Sequence, residues 1–363
     1  MTRYSQTILV VSHEASGDLL ADELINALRA YDDVKIIQHH SGSSTTQDII
    51  STNIKPLSPV MGIGDVVGKL FVARKLLNEL FRFVSTVEVD IIITIDAMAL
   101  NAPLIRKIRK HKPSTLCYHY AAPKLWAWRP GRAHRLRGLF DQLFCLFPFE
   151  QDFFDHYQII NSFAGHPVIH RLSPGPKVRE GILLLPGSRQ KEIVRHLPTF
   201  LKAAFEAFPD EIITVVTFER YKDLVNQLAK DYPIRVMSDP SKRFGVFQKS
   251  KCALAASGTV SLELAMAHTP MVIAYKVDAI SAFLAKRLIS VPYVSLVNLI
   301  LGQKIVPEHL QSECCPNVLA QSLLNLNSEE QLKSFPVLYN LLDKEPDPAS
   351  FVAGQVISAS RQT

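Results

Sequence analysis

What this chain lacks narrows its class before anything it contains. Among 363 residues there are five cysteines, at positions 117, 145, 252, 314 and 315. Their number is odd, they are scattered, and none has a partner at C-x-x-C spacing, which argues against a disulfide framework or a zinc site and for a reducing compartment. No run of about 18 apolar residues is present that would cross a bilayer. Residues 1 to 7 are polar, so the first apolar strand does not read as the core of a signal peptide. The turn after that strand lacks G-x-G-x-x-G, which disfavours a dinucleotide-binding dehydrogenase. There is no dense basic run and no aromatic RNA-binding signature, so nucleic acid is not an expected partner. The expectation is a cytoplasmic protein, or one that touches a membrane only from that side.

What is present fits well-buried globular domains: 47% of residues are hydrophobic and only 20% charged. The length exceeds one ordinary core and suits two domains. Forty Lys and Arg against 34 Asp and Glu give a net charge of +6, a mild excess that fits an anionic substrate or an acidic membrane surface.

The most informative stretch is Gly181 to Glu192. An apolar run, Ile182 to Leu185, is broken by Pro186 and Gly187, and a polar helix-favouring segment follows. Such a turn aims backbone N–H groups and the positive end of a helix dipole at whatever lies above the strand, which makes an anion site. Gly187 would let a phosphate approach, Ser188 would add a hydroxyl and Arg189 a planar charged fork. Taken alone, it reads first as an ordinary strand-to-helix turn with a solvated Arg189. A second turn of the same kind, Ser257-Gly258-Thr259, follows the apolar Cys252 to Ala255. Two such turns in one half of a chain suit a diphosphate. Glu263, four residues after Thr259, lies one helical turn further in, where it reads as an acceptor for ribose hydroxyls or as a plain exposed helix residue.

The first half alternates strands and helices. Residues 7 to 12 form a strand ending at His13-Glu14-Ala15-Ser16-Gly17-Asp18, and an amphipathic helix runs on to about Ala30. A strand at Val34 to Gln38 precedes a loop-like segment, His39 to Asn53. Met61-Gly62-Ile63-Gly64-Asp65 reads as a polar turn opening a helix from Val66 to Phe83, where Phe71, Leu76 and Leu80 stand beside Lys69, Arg74, Lys75 and Arg82. That helix is either a core helix with a solvated basic face or a membrane-surface helix. Asp90 to Ile95 is the cleanest buried strand and ends at Asp96. The strand Thr115 to His119 leads to Trp126-Ala127-Trp128-Arg129, which holds both tryptophans, and then to a basic helix with Arg132, Arg135 and Arg137. A strand at Gln142 to Phe147, a helix to Tyr157 and Ser162-Phe163-Ala164 close this half.

The pattern predicts an α/β protein of two Rossmann-like domains, residues 1–170 and 171–340, with a ligand in the cleft between their carboxyl-end faces and a helical segment, 341–363, packing back on the first domain. The linker falls at 170–180. In the second half, strands are expected at 182–185, 212–217, 234–237, 252–255 and 271–274.

Taken in order, Glu14-Ala15-Ser16-Gly17-Asp18, Met61-Gly62, Trp126-Ala127-Trp128-Arg129, Pro148-Phe149-Glu150, Gly165-His166-Pro167, Leu185 to Arg189, Ser257-Gly258-Thr259 with Leu262-Glu263, and Val294-Ser295-Leu296 with Asn298 resemble lipid-A-disaccharide synthases. The resemblance spans about residues 8 to 325. It implies the GT-B glycosyltransferase fold and an inverting, metal-independent transfer, with no cofactor, of 2,3-diacylglucosamine from its UDP derivative to 2,3-diacylglucosamine 1-phosphate, in lipid A and lipopolysaccharide biosynthesis. It also implies peripheral contact with lipid at the cytoplasmic face of the bacterial inner membrane, and a UDP site comprising Gly187, Ser188, Arg189, Ser257, Gly258, Thr259, Glu263 and Asn298. The sequence contains no D-x-D motif, as suits metal-independent transfer.

The chain departs from the pattern in its first half. Relatives read Ile-Asp-x-Pro-Asp-Phe-Asn where this chain has Ile95-Asp96-Ala97-Met98-Ala99-Leu100-Asn101, so Ala99 stands in place of a carboxylate often assigned to catalysis. His13 replaces a glycine, Ser41-Gly42-Ser43-Ser44 a glycine-rich turn, and Val297 a proline. Two outcomes follow. Either His13 serves as base, matched to neutral pH by an ordinary pKa of about 6.5 and oriented by Asp96 or Glu14, or the protein is a catalytically impaired UDP-sugar or lipid-binding relative. A UDP-sugar epimerase on the same fold is a third, weaker reading.

Overall fold

The computed structural model describes residues 6–40, 50–52, 54, 66–171, 173–176, 178–278 and 291–361. The expected turns at Ser41-Gly42-Ser43-Ser44 and Met61 to Asp65 lie outside them. The chain divides into two units, Met1–Pro167 with Lys344–Thr363, and Val168–Asp343.

The first unit is built on seven parallel strands, β1 (Gln6–Val11), β2 (Val34–His39), β3 (Ile50–Ser51), β4 (Ile91–Ile95), β5 (Leu116–Tyr120), β6 (Gln142–Cys145) and β7 (Asn161–Phe163). Their order is β3-β2-β1-β4-β5-β6-β7. The chain runs outward from β1 to β3, then returns to lay β4 on the other side of β1. The loops after β1 and β4 therefore diverge at the carboxyl edge, the usual ligand position in an open parallel sheet.

β1 and β4 are buried on both faces, as all-parallel strands must be when helices cover each side. Ile8, Val10, Ile91 and Ile93 pack against α1 (Ala15–Leu28) and the C-terminal helix Pro348–Ser360. Leu9, Val11 and Ile92 face the layer of α2 (Val66–Thr86) and α3 (Met98–His111). The C-terminal helix contributes Val352, Ala353, Val356 and Ile357 to the core beside α1. It is tied at its end by Ser360 Oγ, which donates to Gln6 Oε1 at 2.8 Å. The helix Pro348–Ser360 thus completes a helical layer beside α1 in this unit.

The second unit has six parallel strands in the order β10-β9-β8-β11-β12-β13, with β8 (Ile182–Leu185), β9 (Ile213–Val216), β10 (Ile234–Met237), β11 (Cys252–Ala255), β12 (Met271–Tyr275) and β13 (Glu308–Leu310). The sequence reading misses β3 and β13. Two- and three-residue edge strands carry too few side chains to show a period. The expected basic helix after Trp128 is a 3-10 helix, Pro130–Leu136, entered through Arg129 in the left-handed region at φ 56°. The strand expected to reach Phe147 stops at Cys145.

A polar row crosses the carboxyl end of the first sheet. Val11 is registered with both His39 and Thr94, and Thr94 with His119. His39 is 1% exposed and His119 0%. His119 Nδ1 meets Thr94 Oγ1 at 2.8 Å, and His39 Nδ1 meets Thr52 Oγ1 at 3.1 Å. Burial pushes both imidazoles down to about 3. The unfolded chain takes up these protons near pH 6.5 and the folded chain does not, so their contribution to stability is complete above about pH 6.5 and falls away as pH drops toward 3, by up to about 1.4 kcal/mol per pH unit for each histidine. The thermal midpoint, followed by circular dichroism, should therefore drop between pH 7 and pH 5, and His119→Phe should blunt the drop. A midpoint independent of pH over that range would contradict it.

Candidate active site

The two turns singled out in the second unit leave neighbouring strands. β8 and β11 are registered Leu185 to Ala255, and Ala256 N donates to Leu185 O at 2.8 Å. Gly187 sits at φ 127°, where L side chains are rare, and a Cβ there would lie 2.5 Å from Glu192 Cβ. The glycine makes room for Glu192. That carboxylate accepts the N–H groups of Ser188 at 2.9 Å and Arg189 at 3.2 Å through Oε2. Its Oε1 takes the Tyr275 hydroxyl at 3.1 Å and Arg189 Nη1 at 3.3 Å. The start of α6 (Gln190–Ala207) is closed by the glutamate half of a capping box, Glu192 accepting the Arg189 N–H, with an internal anion where the sequence suggests a phosphate. Arg189, its side chain 79% exposed, is an available cation at the rim. His196 braces this turn from below: Nδ1–H donates to Pro186 O at 2.9 Å, and Nε2 accepts Lys276 N–H at 3.0 Å.

The second turn is open. The N–H groups of Ser257, Gly258 and Thr259 find no acceptor among the described residues, and the space around Gly258 is empty to 4 Å. Ser257 Oγ donates to Val294 O at 2.8 Å, so this hydroxyl is a tie to the next loop and not a free donor. Glu263, on α9 (Val260–Met266), is mostly buried and not the exposed helix residue of the plain reading. Its Oε2 accepts Arg243 Nη2 at 2.7 Å, while Oε1 accepts nothing among the described residues. Burial pulls the Glu263 pKa upward, and Arg243 and Arg171 oppose it. Arg243, on α8 (Arg243–Lys249), is missed by sequence reasoning because it comes 20 residues earlier and belongs to no motif.

Asn298 departs from its expected role. Its side chain is fully buried. Nδ2 donates to Val306 O and Glu308 Oε1, both at 2.8 Å, and Oδ1 accepts Ile305 N at 2.9 Å and Val306 N at 2.8 Å. With two donors and two acceptor positions used, no capacity remains for a ligand. Glu308 also receives Val294 N and Ser295 N at 3.0 and 2.8 Å. Asn298 and Glu308 together hold the loop to which Ser257 is tied.

In the first unit, His13 follows β1 and is 5% exposed. Its Nε2 meets Asn101 Oδ1 at 3.1 Å, and its ring lies edge-on to His39 with centroids 5.5 Å apart. Burial lowers its pKa to about 4, against the ordinary value expected from sequence; Asn101 and Asp18 pull the other way. The orienting partner is Asn101, not Asp96 or Glu14. Glu14 is exposed and precedes α1 in extended conformation. Asp96 is exposed, and with Ala97 it forms two consecutive left-handed residues at φ 49° and 41°. Ala99 is exposed on the first turn of α3.

Two further motifs meet. Glu150 accepts Trp126 Nε1–H at 2.8 Å and the N–H groups of Leu146 and Phe147 at 3.0 and 3.1 Å. Burial raises its pKa to about 7 despite these donors. The tryptophan block and the Pro148-Phe149-Glu150 turn are therefore one braced unit.

A family profile described as lipid-A-disaccharide synthetase matches residues 8–341. The chain belongs to that family. It is 33% identical to the lipid-A-disaccharide synthase of Gluconobacter oxydans, across 96% of this chain and 88% of that one, and 32% identical to that of Granulibacter bethesdensis, across 88% and 85%. Among solved structures it is similar to the glycotransferase of kitacinnamycin (TM-score 0.68, 14% identity, 98% of this chain and 99% of the other). It is also similar to a UDP-GlcNAc 2-epimerase from Neisseria meningitidis (TM-score 0.63, 11% identity, 99% and 100%). At such identities the structures show the fold alone, GT-B. Family membership makes the chain a glycosyltransferase of lipid A biosynthesis.

The Gly187 turn supplies a direct check. Gly187→Ala sets a side chain against Glu192 in a left-handed conformation and should cost about 1–3 kcal/mol. Urea unfolding should show a lower midpoint, and an unchanged midpoint would disprove the seating of Glu192 described here.

Proposed function

We propose that this lipid-A-disaccharide synthetase family member transfers 2,3-diacylglucosamine from its UDP derivative to 2,3-diacylglucosamine 1-phosphate, with inversion and release of UDP. The observation that carries this reading is the open Ser257-Gly258-Thr259 turn with Glu263 one helical turn beyond it. The N–H groups, without acceptors among the described residues, suit a diphosphate, and Glu263 Oε1, which accepts nothing among them, suits a ribose hydroxyl. As the acceptor oxygen bonds to the anomeric carbon, the bond to the diphosphate breaks and UDP leaves with the electron pair. The fixed N–H dipoles, with Arg189 from the neighbouring turn, stabilise that growing charge. Gly187 and Ser188 act through the placing of Arg189, and Asn298 through the loop that it braces.

The proton released by the acceptor needs a base. His13 is the candidate that the geometry favours over Glu14 and Asp96. Neutral, with a pKa of about 4, it has the proton affinity of an ordinary aspartate, about 3.9. The family pattern that the sequence resembles has a carboxylate in the place of Ala99; on this reading His13 supplies a similar proton affinity without the negative charge.

Purified protein with both lipid substrates should yield disaccharide and UDP by mass spectrometry. Glu263→Gln should raise the donor KM roughly ten-fold, as for loss of a charge-assisted hydrogen bond, with a smaller effect on kcat. UDP binding without disaccharide would point to an impaired relative, and donor turnover without acceptor to an epimerase.

Contact with the cytoplasmic face of the inner membrane is part of the same proposal. α2 exposes Phe71 at 71% and Val72 at 49%, with Arg74 and Lys75 next along the helix. An apolar tip flanked by cations suits an anionic lipid surface. The protein should co-sediment with phosphatidylglycerol-containing vesicles, and Phe71→Ser with Val72→Ser should weaken that at least several-fold. Equal sedimentation of the double variant would remove α2 from the reading.

A further inference from the structure

Asn101 is buried, with 0% exposure, on α3. Its Nδ2 donates to Asp96 O at 2.8 Å and to Ile95 O at 3.4 Å. Carbonyl oxygens only accept, so these contacts fix which end of the amide is nitrogen and leave Oδ1 toward His13. Oδ1 also only accepts. His13 Nε2, 3.1 Å away, must therefore carry the ring proton. A neutral imidazole with its hydrogen on Nε2 has its lone pair on Nδ1. That atom is buried and finds no partner among the described residues.

We infer that Asn101 is a positioning residue that locks His13 in the Nε2–H tautomer, leaving Nδ1 as the atom that accepts the proton from the acceptor hydroxyl. The inference rests on the transfer reading for its function, though not for its geometry. In the step, the hydroxyl O–H bond breaks, its proton goes to the Nδ1 lone pair, and its electron pair goes to the new glycosidic bond. The left-handed backbone at Asp96 and Ala97 contributes, because it shapes the short turn between β4 and α3 in which the Asn101 side chain reaches back to Asp96 O. Among the described residues, the charged and titratable groups around His13 are His39, edge-on and held neutral by burial, and Asp18 on α1, whose charge favours a protonated ring. An amide at position 101 sets the tautomer without adding a second charge. A carboxylate there would hold His13 protonated to higher pH.

The test is the nitrogen-15 spectrum of the histidine side chains in the free full-length protein at neutral pH, with His13 assigned by its loss in His13→Gln. The expected signals are a pyridine-like Nδ1 and a pyrrole-like Nε2. In Asn101→Ala the two should move toward the averaged values of mixed tautomers. In Asn101→Asp the acid limb of the kcat/KM profile should rise by at least one pH unit, with kcat lost more than KM is changed. A proton found on Nδ1 in the wild-type protein, or an Asn101→Asp profile superimposable on wild type, overturns the inference. The spectrum needs neither substrate nor folded variants at position 101, so it decides the tautomer even if the wild-type protein forms no disaccharide. That last result would sink the transfer reading alone.

Discussion

Where a parallel strand turns into a helix, the first backbone N–H groups have no partner within the helix and must find an acceptor. This constraint shapes the second unit more than any other. Turns of the same general form leave the adjacent strands β8 and β11 and meet the requirement in opposite ways. After β8, Glu192 folds back and satisfies the N–H groups of Ser188 and Arg189 from within the chain. After β11, the N–H groups of Ser257, Gly258 and Thr259 meet no acceptor among the described residues. A protein keeps such groups unsatisfied only where something else completes them, whether water or a ligand. The closed turn gives rigidity and presents a cation; the open turn leaves its donors for the anion that the proposed function places there. A diphosphate gripped equally by both would have to displace Glu192, whose carboxylate is also held by Tyr275 and Arg189.

How far this could be read from the sequence depends on whether the deciding contact is local. The strands at 182–185 and 252–255 announce themselves as apolar runs ended by turn residues, and both are found at those bounds. The capping box was in principle legible too, because Glu192 stands at the third helical position after Arg189. Taken as a polar helix start, it hid the fact that the anion seat is already filled. Other contacts were out of reach. Arg243 meets Glu263 only because α8 packs beside α9, which no spacing rule encodes. Asn298 looks like any asparagine near a site until four hydrogen bonds, to Ile305, Val306 and Glu308, are found to use up its side chain. Motif matching marks such a residue as important without saying whether it touches ligand or holds the residues that do.

The first unit shows the same limit in its electrostatics. His13 was legible as a departure from its relatives, and an ordinary imidazole pKa was the natural expectation. What changes that value is the row of side chains across the end of the sheet. His39 and His119, placed by strand register and not by sequence proximity, share its buried layer. Removing water from around an imidazole penalises only its charged form, so every ring in the layer is held neutral. The hydrogen-bond partners in this layer, Thr52, Thr94 and Asn101, are likewise uncharged.

That neutrality changes the character of a base at this position. A carboxylate loses its charge when it accepts a proton, so burial favours the product of its work. An imidazole gains a charge, and burial opposes it. His13 therefore reaches an aspartate-like proton affinity by a different balance, in which desolvation weakens a base that is intrinsically stronger. Among the described residues, the negative group that favours a protonated His13 is Asp18, whose carboxylate is itself held by Ser12 Oγ. His13 cannot pass the proton on through Nε2 without disturbing Asn101, since that nitrogen is already a donor. On the proposed reading, the proton leaves from Nδ1, the atom at which it arrives, once the charged product has gone. If His13 is the base proposed, such a site favours release over retention: the burial that lowers its pKa to about 4 returns it to the neutral form at neutral pH.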